Sequence, residues 1–190
     1  MSNPGEHFVA DLKTANQIAL DLGVQFRSLV FPRNQVLDEF LPLLTKFGIQ
    51  VYRGNPRHWL YRDGHTTPGG IAGRAMRFAD SWIPMTGAHI SYAEVVNGLT
   101  NVPASLFLRP WARRLSAFEP LRLIRLKQAM TMAARSGGIF HLWWHPHNFG
   151  VNLEQNLIVL ELLLQHYQTL EVLYGMRSSS MGDFAQMETV

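Results

Sequence analysis

The chain contains no cysteine. Disulfides and thiolate metal sites are therefore excluded, and packing and hydrogen bonding have to hold the fold. Charge of one sign is also scarce: no run of Lys and Arg exceeds two residues, and the formal net charge is +3. A nucleic-acid binder presents a basic stripe with which to neutralise phosphates, and none is written here. No stretch approaches the roughly 20 uninterrupted apolar residues that cross a bilayer. Met1 to Glu6 is polar, broken by Pro4 and Gly5, and lacks the basic and apolar regions of a secretory signal. There is no internal repeat and no low-complexity tract. These absences predict a soluble, cytoplasmic protein with no nucleic-acid partner and no membrane span.

What is present is enough apolar material for a core. Hydrophobic residues make up 47% of the 190 residues and charged ones 16%. A chain of this length reads as one domain, spanning 1–190.

Helical and strand periods alternate along it. Phe8, Leu12, Ala15, Ala19 and Leu22 share one helical face over 7–22, closed by Gly23. Phe26 to Phe31 is a short apolar run stopped by Pro32, the length of a buried strand. A second helix is predicted over 36–47, closed by Gly48, and then a strand from Ile49 to Tyr52. This alternation predicts an α/β fold with parallel strands under helical cover. The middle, 54–118, is dense in proline and glycine and reads as an elaborated loop region, with short helices near 70–82 and 91–97 and a strand at Val102 to Phe107. Beyond it, 119–135 reads as an amphipathic helix with Leu121, Ile124 and Leu126 inward and Arg122, Arg125 and Lys127 outward. The strand Ile139 to Trp144 follows. A long helix then buries Leu153, Leu157, Leu160, Leu164 and Tyr167, opened by Asn152 as N-cap with Gln155 in the capping-box position. A short strand near Val172 to Tyr174 and a last small helix complete the expectation.

Three segments carry chemistry. In His141-Leu-Trp-Trp-His145-Pro-His147-Asn148, strand alternation puts His141, Trp143 and His145 on one side, with His147 on the exit loop. Ends of parallel strands are where α/β folds build sites, and an imidazole there can donate or accept a proton near neutrality. His141, in mid-strand, reads more readily as a packed core histidine. Phe31-Pro32-Arg33-Asn34-Gln35 lies where a strand gives way to a helix. Arg33 there can orient a carboxylate; Asn34 can bind a sugar or cap the helix. Tyr52-Arg53-Gly54-Asn55, with Trp59 and Tyr61, suits stacking on sugar rings and equally suits a hydrophobic edge.

Taken in this order, these segments resemble the polysaccharide deacetylase (NodB-homology) family, and most closely a subgroup reading FPRNQ after one strand, YRGN after the next and HLWWHPHNFG near the end. The likeness spans about residues 7–183. It implies a partial (β/α) barrel of the polysaccharide deacetylase type, from a family that uses a divalent, zinc-like metal to remove acetyl groups from sugars. It also implies that His145 stands where a late-strand histidine protonates the leaving amine. Arg33 then resembles the arginine that orients the catalytic aspartate, although here it follows the proline instead of preceding it. Trp143 and Trp144 would wall an acetyl pocket, and Trp59 would take the place of a middle aromatic. Asn34, Arg53, His147 and Asn148 complete the substrate-side candidates.

The family's metal motifs, paired aspartates and two histidines four apart after an early strand, are not matched. Asp11, Asp21, Asp38, Asp63, Asp80 and Asp183 are isolated in sequence, and the one such histidine spacing, His141 with His145, falls on the wrong strand. The expectation is therefore a C-terminal portion that binds no catalytic metal by itself. Its partners would be an acetylated sugar or polysaccharide and a separately encoded N-terminal half. The alternatives are a non-catalytic glycan-binding or partner subunit, and a different metallohydrolase with His145 and His147 as ligands.

Overall fold

A computed structural model describes residues 4–61 and 70–186. The chain divides into two compact units.

The first unit comprises residues 1–54, 93–102 and 179–190. Helix α1 (Pro4–Asp21) turns Phe8 and Leu12 onto the core, where Phe8 stacks on Phe31 and Phe40 at 5.9 and 4.6 Å. Strand β1 (Ser28–Leu29) pairs in parallel with β2 (Val51–Tyr52). The helix expected over 36–47 is broken. A 3-10 turn (Asp38–Phe40), helix α2 (Leu41–Leu44) and a second 3-10 turn (Thr45–Phe47) share that span. Pro42 lacks the amide to continue a long helix through this point, although it is tolerated in the first turn of α2.

The helix expected at 91–97 is not formed. Strand β3 (Glu94–Val96) runs antiparallel to β4 (Leu99–Asn101), and β4 lies parallel to β2. Asn97 and Gly98, with φ of 52° and 77°, make the turn between them. Two successive left-handed residues reverse the chain with the right-handed twist that a hairpin needs, and Asn-Gly meets that demand at least steric cost. The sheet order is β1-β2-β4-β3. Leu41, Leu44, Ile49 and Leu99, each at most 1% exposed, fill the core beneath it.

The second unit comprises residues 55–92 and 103–178. Its described α-helices and strands are α3 (Gly70–Ala79), β5 (Leu106–Phe107), α4 (Glu119–Ser136), β6 (Leu142–Trp143), α5 (Pro146–Phe149) and α6 (Leu153–Tyr174). β5 and β6 pair in parallel, with Leu106 opposite Leu142 and Phe107 opposite Trp143. The core gathers Leu106, Leu108, Leu126, Ala129, Met130, Phe149, Val159, Leu163 and Leu170.

Both long helices are rotated from the expected faces. On α4, Arg122 and Arg125 are buried, whereas Leu121 and Ile124 are about half exposed. The guanidinium groups go inside because partners await them there. Arg125 meets Asp80, and Arg122 meets Glu119 and the Arg109 carbonyl. On α6, Leu153, Leu157 and Leu164 face outward, and Asn156, Val159, Leu163 and Leu170 are buried. Asn156 sets this register. Its Oδ1 accepts the Trp111 amide at 2.6 Å and its Nδ2 donates to the Phe149 carbonyl at 3.1 Å, which satisfies a buried amide at both ends. Asn152 occupies the N-cap position of α6 without capping it; its side chain donates to the Trp111 carbonyl instead. Val172 to Tyr174, expected as a strand, is the last turn of α6, which stops at Gly175. The final short helix is a 3-10 turn, Met181–Gln186, in the first unit.

The α/β class is thus present, as one four-stranded mixed sheet and one two-stranded parallel sheet. No barrel is closed among the described residues. None of their helices is long and apolar enough to cross a membrane.

Candidate functional site

The expected site residues divide between the units. Arg33, Asn34 and Arg53 belong to the first; Trp59, Trp143, Trp144, His145, His147 and Asn148 belong to the second.

In the first unit, Pro32–Asn34 forms a 3-10 turn directly after Phe31. Asn34 ends it in a left-handed conformation, φ 56°. Its side chain caps no helix: Oδ1 accepts a hydrogen bond from the Arg53 guanidinium. Burial pulls the Arg53 guanidinium below its ordinary value. Gly54 follows because a side chain has no room there: a Cβ would fall 2.2 Å from Oδ1 of Asn101. The Arg33 side chain and all of Asp63 lie outside the described residues.

In the second unit, strand parity builds a surface. Leu106, Leu108, Leu142 and Trp144 point to the core, so Phe107, Arg109, Trp143 and His145 point the other way. The Phe107 and Trp143 rings lie 4.4 Å apart. His145 stands edge-on to Trp143 at 5.5 Å and is 5.7 Å from Phe107. Pro146 ends the strand and starts α5, whose first turn brings His147 over His145, ring centroids 5.3 Å apart and 26° from parallel. Asn148 donates its amide to the His145 carbonyl at 3.0 Å. Trp144 stacks on Phe149 against the core, so the two tryptophans serve opposite sides of the strand. His141 is half-buried, and its amide donates to the Ser105 hydroxyl.

Trp59 is 50% exposed beside His58. Among the described residues no ring contact joins it to the Trp143–His145 group.

Arg109 extends the surface at the end of β5. Its guanidinium carbon sits 5.0 Å from the Phe78 ring and 5.8 Å from the Phe107 ring, and Nε donates to Ser81 Oγ at 2.6 Å. Phe78 in turn packs on Trp82 at 4.6 Å.

Beside this surface lies a group that no sequence motif announced. Asp80, 1% exposed, accepts from Tyr61 Oη at 2.7 Å, from the Thr86 amide at 3.0 Å and hydroxyl at 2.8 Å, and from both Arg125 terminal nitrogens at 3.2 and 2.9 Å. Arg125 also donates to the carbonyls of Ile83 and Gly87. The carboxylate and guanidinium together fold the 80–89 loop onto α4. Thr86 spends its one hydroxyl proton on Asp80, so the neighbouring His89 Nε2 carries a proton and donates to Thr86 Oγ1. Burial, reinforced by Arg125 and His58, holds His89 down to about 4, against the opposing pull of Asp80. Burial, and the hydrogen bond to Asp80, push the Tyr61 hydroxyl up. The signal missed in the sequence was weak: one aspartate and one arginine 45 positions apart.

The sequence matches no family model, and comparison with curated proteins and with solved structures returned no match. What the site can do therefore rests on its own chemistry.

That chemistry includes no cation cage among the described residues. Among the described residues no three His, Asp or Glu side chains converge to hold a metal, and the stacked pair of His145 and His147 has no carboxylate completing it. Among the described residues, the side chains do not fit the divalent metal that the deacetylase resemblance implies. They do bring Phe107 and Trp143 together as an aromatic pair, with the exposed imidazoles of His145 and His147 on one side and the Arg109 guanidinium on the other.

Proposed function

We propose that the chain is a polysaccharide deacetylase-like protein carrying the substrate side of the reaction: the Phe107–Trp143 edge holds a sugar ring and His145 hands a proton to the departing amine nitrogen. The observation that supports this most is the right-angle placement of His145 on Trp143 at a parallel strand's end, with Pro146 fixing the chain beyond it. The C–H face of a pyranose packs on an aromatic plane, which leaves its N-acetyl substituent within reach of a neighbouring imidazole. An imidazolium there protonates the nitrogen as the C–N bond breaks, so that an amine departs and not an amide anion. His147, stacked on His145, stands beside it as a second hydrogen-bonding ring.

A titration of the purified chain with N-acetylglucosamine oligomers tests the reading. Binding is expected and is weakened about tenfold by Trp143→Ala, the cost of roughly one lost aromatic contact. Absence of any saccharide binding would sink the proposal.

A second reading, a non-catalytic partner subunit, is favoured by a different observation. Leu121, Ile124 and Met132 form an exposed apolar row on α4, and Leu153, Leu157 and Leu164 do so on α6. Rows of that kind commonly pack against another chain. Acetate release that appears only after a separately expressed metal-binding half is mixed in would support this subunit role; release by the chain alone would overturn it.

A further inference from the structure

We infer that Arg109 is the anchor for a carboxylate, so that the sugar held by the Phe107–Trp143 edge is an acidic one, a uronic acid or another carboxylate-bearing saccharide. The inference rests on the glycan-binding reading for its ligand, but on its own observations for the anion site.

The first observation is a charge count. Three arginines lie together in the second unit: Arg109, Arg122 and Arg125. Arg125 is matched by Asp80 and Arg122 by Glu119. Among the described residues no carboxylate pairs with Arg109; burial pulls its guanidinium below the ordinary value, and Tyr61 raises it while the cation Arg122 lowers it. A half-buried charge without a counter-ion is costly, and proteins retain one mainly where a ligand supplies the opposite charge.

Geometry points the same way. Nε is held by Ser81, and the guanidinium rests on Phe78 and Phe107, so the group is oriented before any ligand arrives. Its two terminal nitrogens hydrogen-bond to nothing among the described residues and are not sealed from solvent. Those two nitrogens form the fork that a planar carboxylate accepts in bidentate fashion. One spare positive charge suits a monoanion. A phosphate dianion would draw on further cations, and the two nearby are already neutralised. Phe107 links the parts, touching both the Arg109 guanidinium and the His145 ring. A single monosaccharide lying on that edge can therefore present its acid group to Arg109 while another substituent faces His145.

Titrate the full chain by NMR or calorimetry with glucose, glucuronate, glucose 6-phosphate and acetate, and repeat with Arg109→Gln and Ser81→Ala. Glucuronate should bind about tenfold or more tighter than glucose, the scale of one charge-assisted bidentate pair, and R109Q should erase that advantage. S81A, which keeps the charge and removes only its orienting partner, should reduce the advantage by a smaller factor, so the test survives if R109Q does not fold. Equal affinity for glucuronate and glucose overturns the inference, as does a preference for the phosphate ester. Acetate binding that depends on Arg109, with no sugar bound, keeps the anion site and overturns the glycan reading instead.

Discussion

Asp80 and Arg125 face each other through two hydrogen bonds, Nη1 to Oδ1 at 3.2 Å and Nη2 to Oδ2 at 2.9 Å, with side chains only 1% and 4% exposed. The pair joins α4 to a loop that carries no regular structure of its own. Removing one partner leaves an uncompensated charge in a buried place. Asp80→Asn should therefore cost about 3–5 kcal/mol in a urea melt, while Asp80→Leu combined with Arg125→Met should recover much of that loss. A single D80N variant within 1 kcal/mol of the parent would mean that the pair does not hold the loop.

His89 hangs on the same network and gives it a pH dependence. Its folded value near 4 lies below the ordinary 6.5, so the unfolded chain takes up a proton before the folded one does. Its contribution to stability is then complete above about pH 6.5 and is lost as pH falls from there through 4. His89→Asn keeps a donor to Thr86 and removes the titration. The slope of the thermal midpoint between pH 6.5 and 4 should flatten in this variant, and an unchanged slope would refute the assignment.

The face of α6 is open to a direct comparison of neighbours. Leu163 is 2% exposed and Leu164 is 53% exposed. Leu163→Ala should destabilise by about 2–5 kcal/mol and Leu164→Ala by well under 1 kcal/mol, measured by chemical denaturation. The reverse ranking would restore the face that sequence periodicity predicts.

Adjacent tryptophans provide a matching contrast between function and stability. Trp144 packs on Phe149 in the core, so Trp144→Ala should lower stability by roughly 3 kcal/mol. Trp143→Ala should weaken saccharide binding while moving the melt much less. Loss of binding in W144A alone, at a temperature where that variant is folded, would put the sugar on the other side of the strand.

Much of the element order was legible. The strand near residue 28, the strand ending at Tyr52, the helix beginning at Glu119 and the strand before Pro146 lie where periodicity and proline put them. So does the emergence of His145 at a strand end. The hairpin at 94–101 was legible in principle through Asn97-Gly98, a turn signal outweighed by a short apolar stretch that fits either period.

Other features were decided by partners far along the chain. Periodicity ranks arginine as outward and leucine as inward, because it prices each side chain as if alone. Arg122 and Arg125 reverse that ranking on α4 since Glu119, Asp80 and backbone carbonyls neutralise them. Asn156 does the same on α6, where two hydrogen bonds outweigh the preference of Leu157 for the interior.

The amino-acid sequence determined that strands end at Tyr52 and before Pro146, which residues could donate a proton, and that no thiol takes part. Those are local matters of dihedral preference, side-chain chemistry and composition. Only the tertiary structure decided which helix faces are buried, that Asp80 has company, and that Arg109 has no counter-ion among the described residues. Each of those depends on pairing between groups tens of residues apart, and the free energy of a buried charge is set by its neighbours in space, whatever its neighbours in sequence.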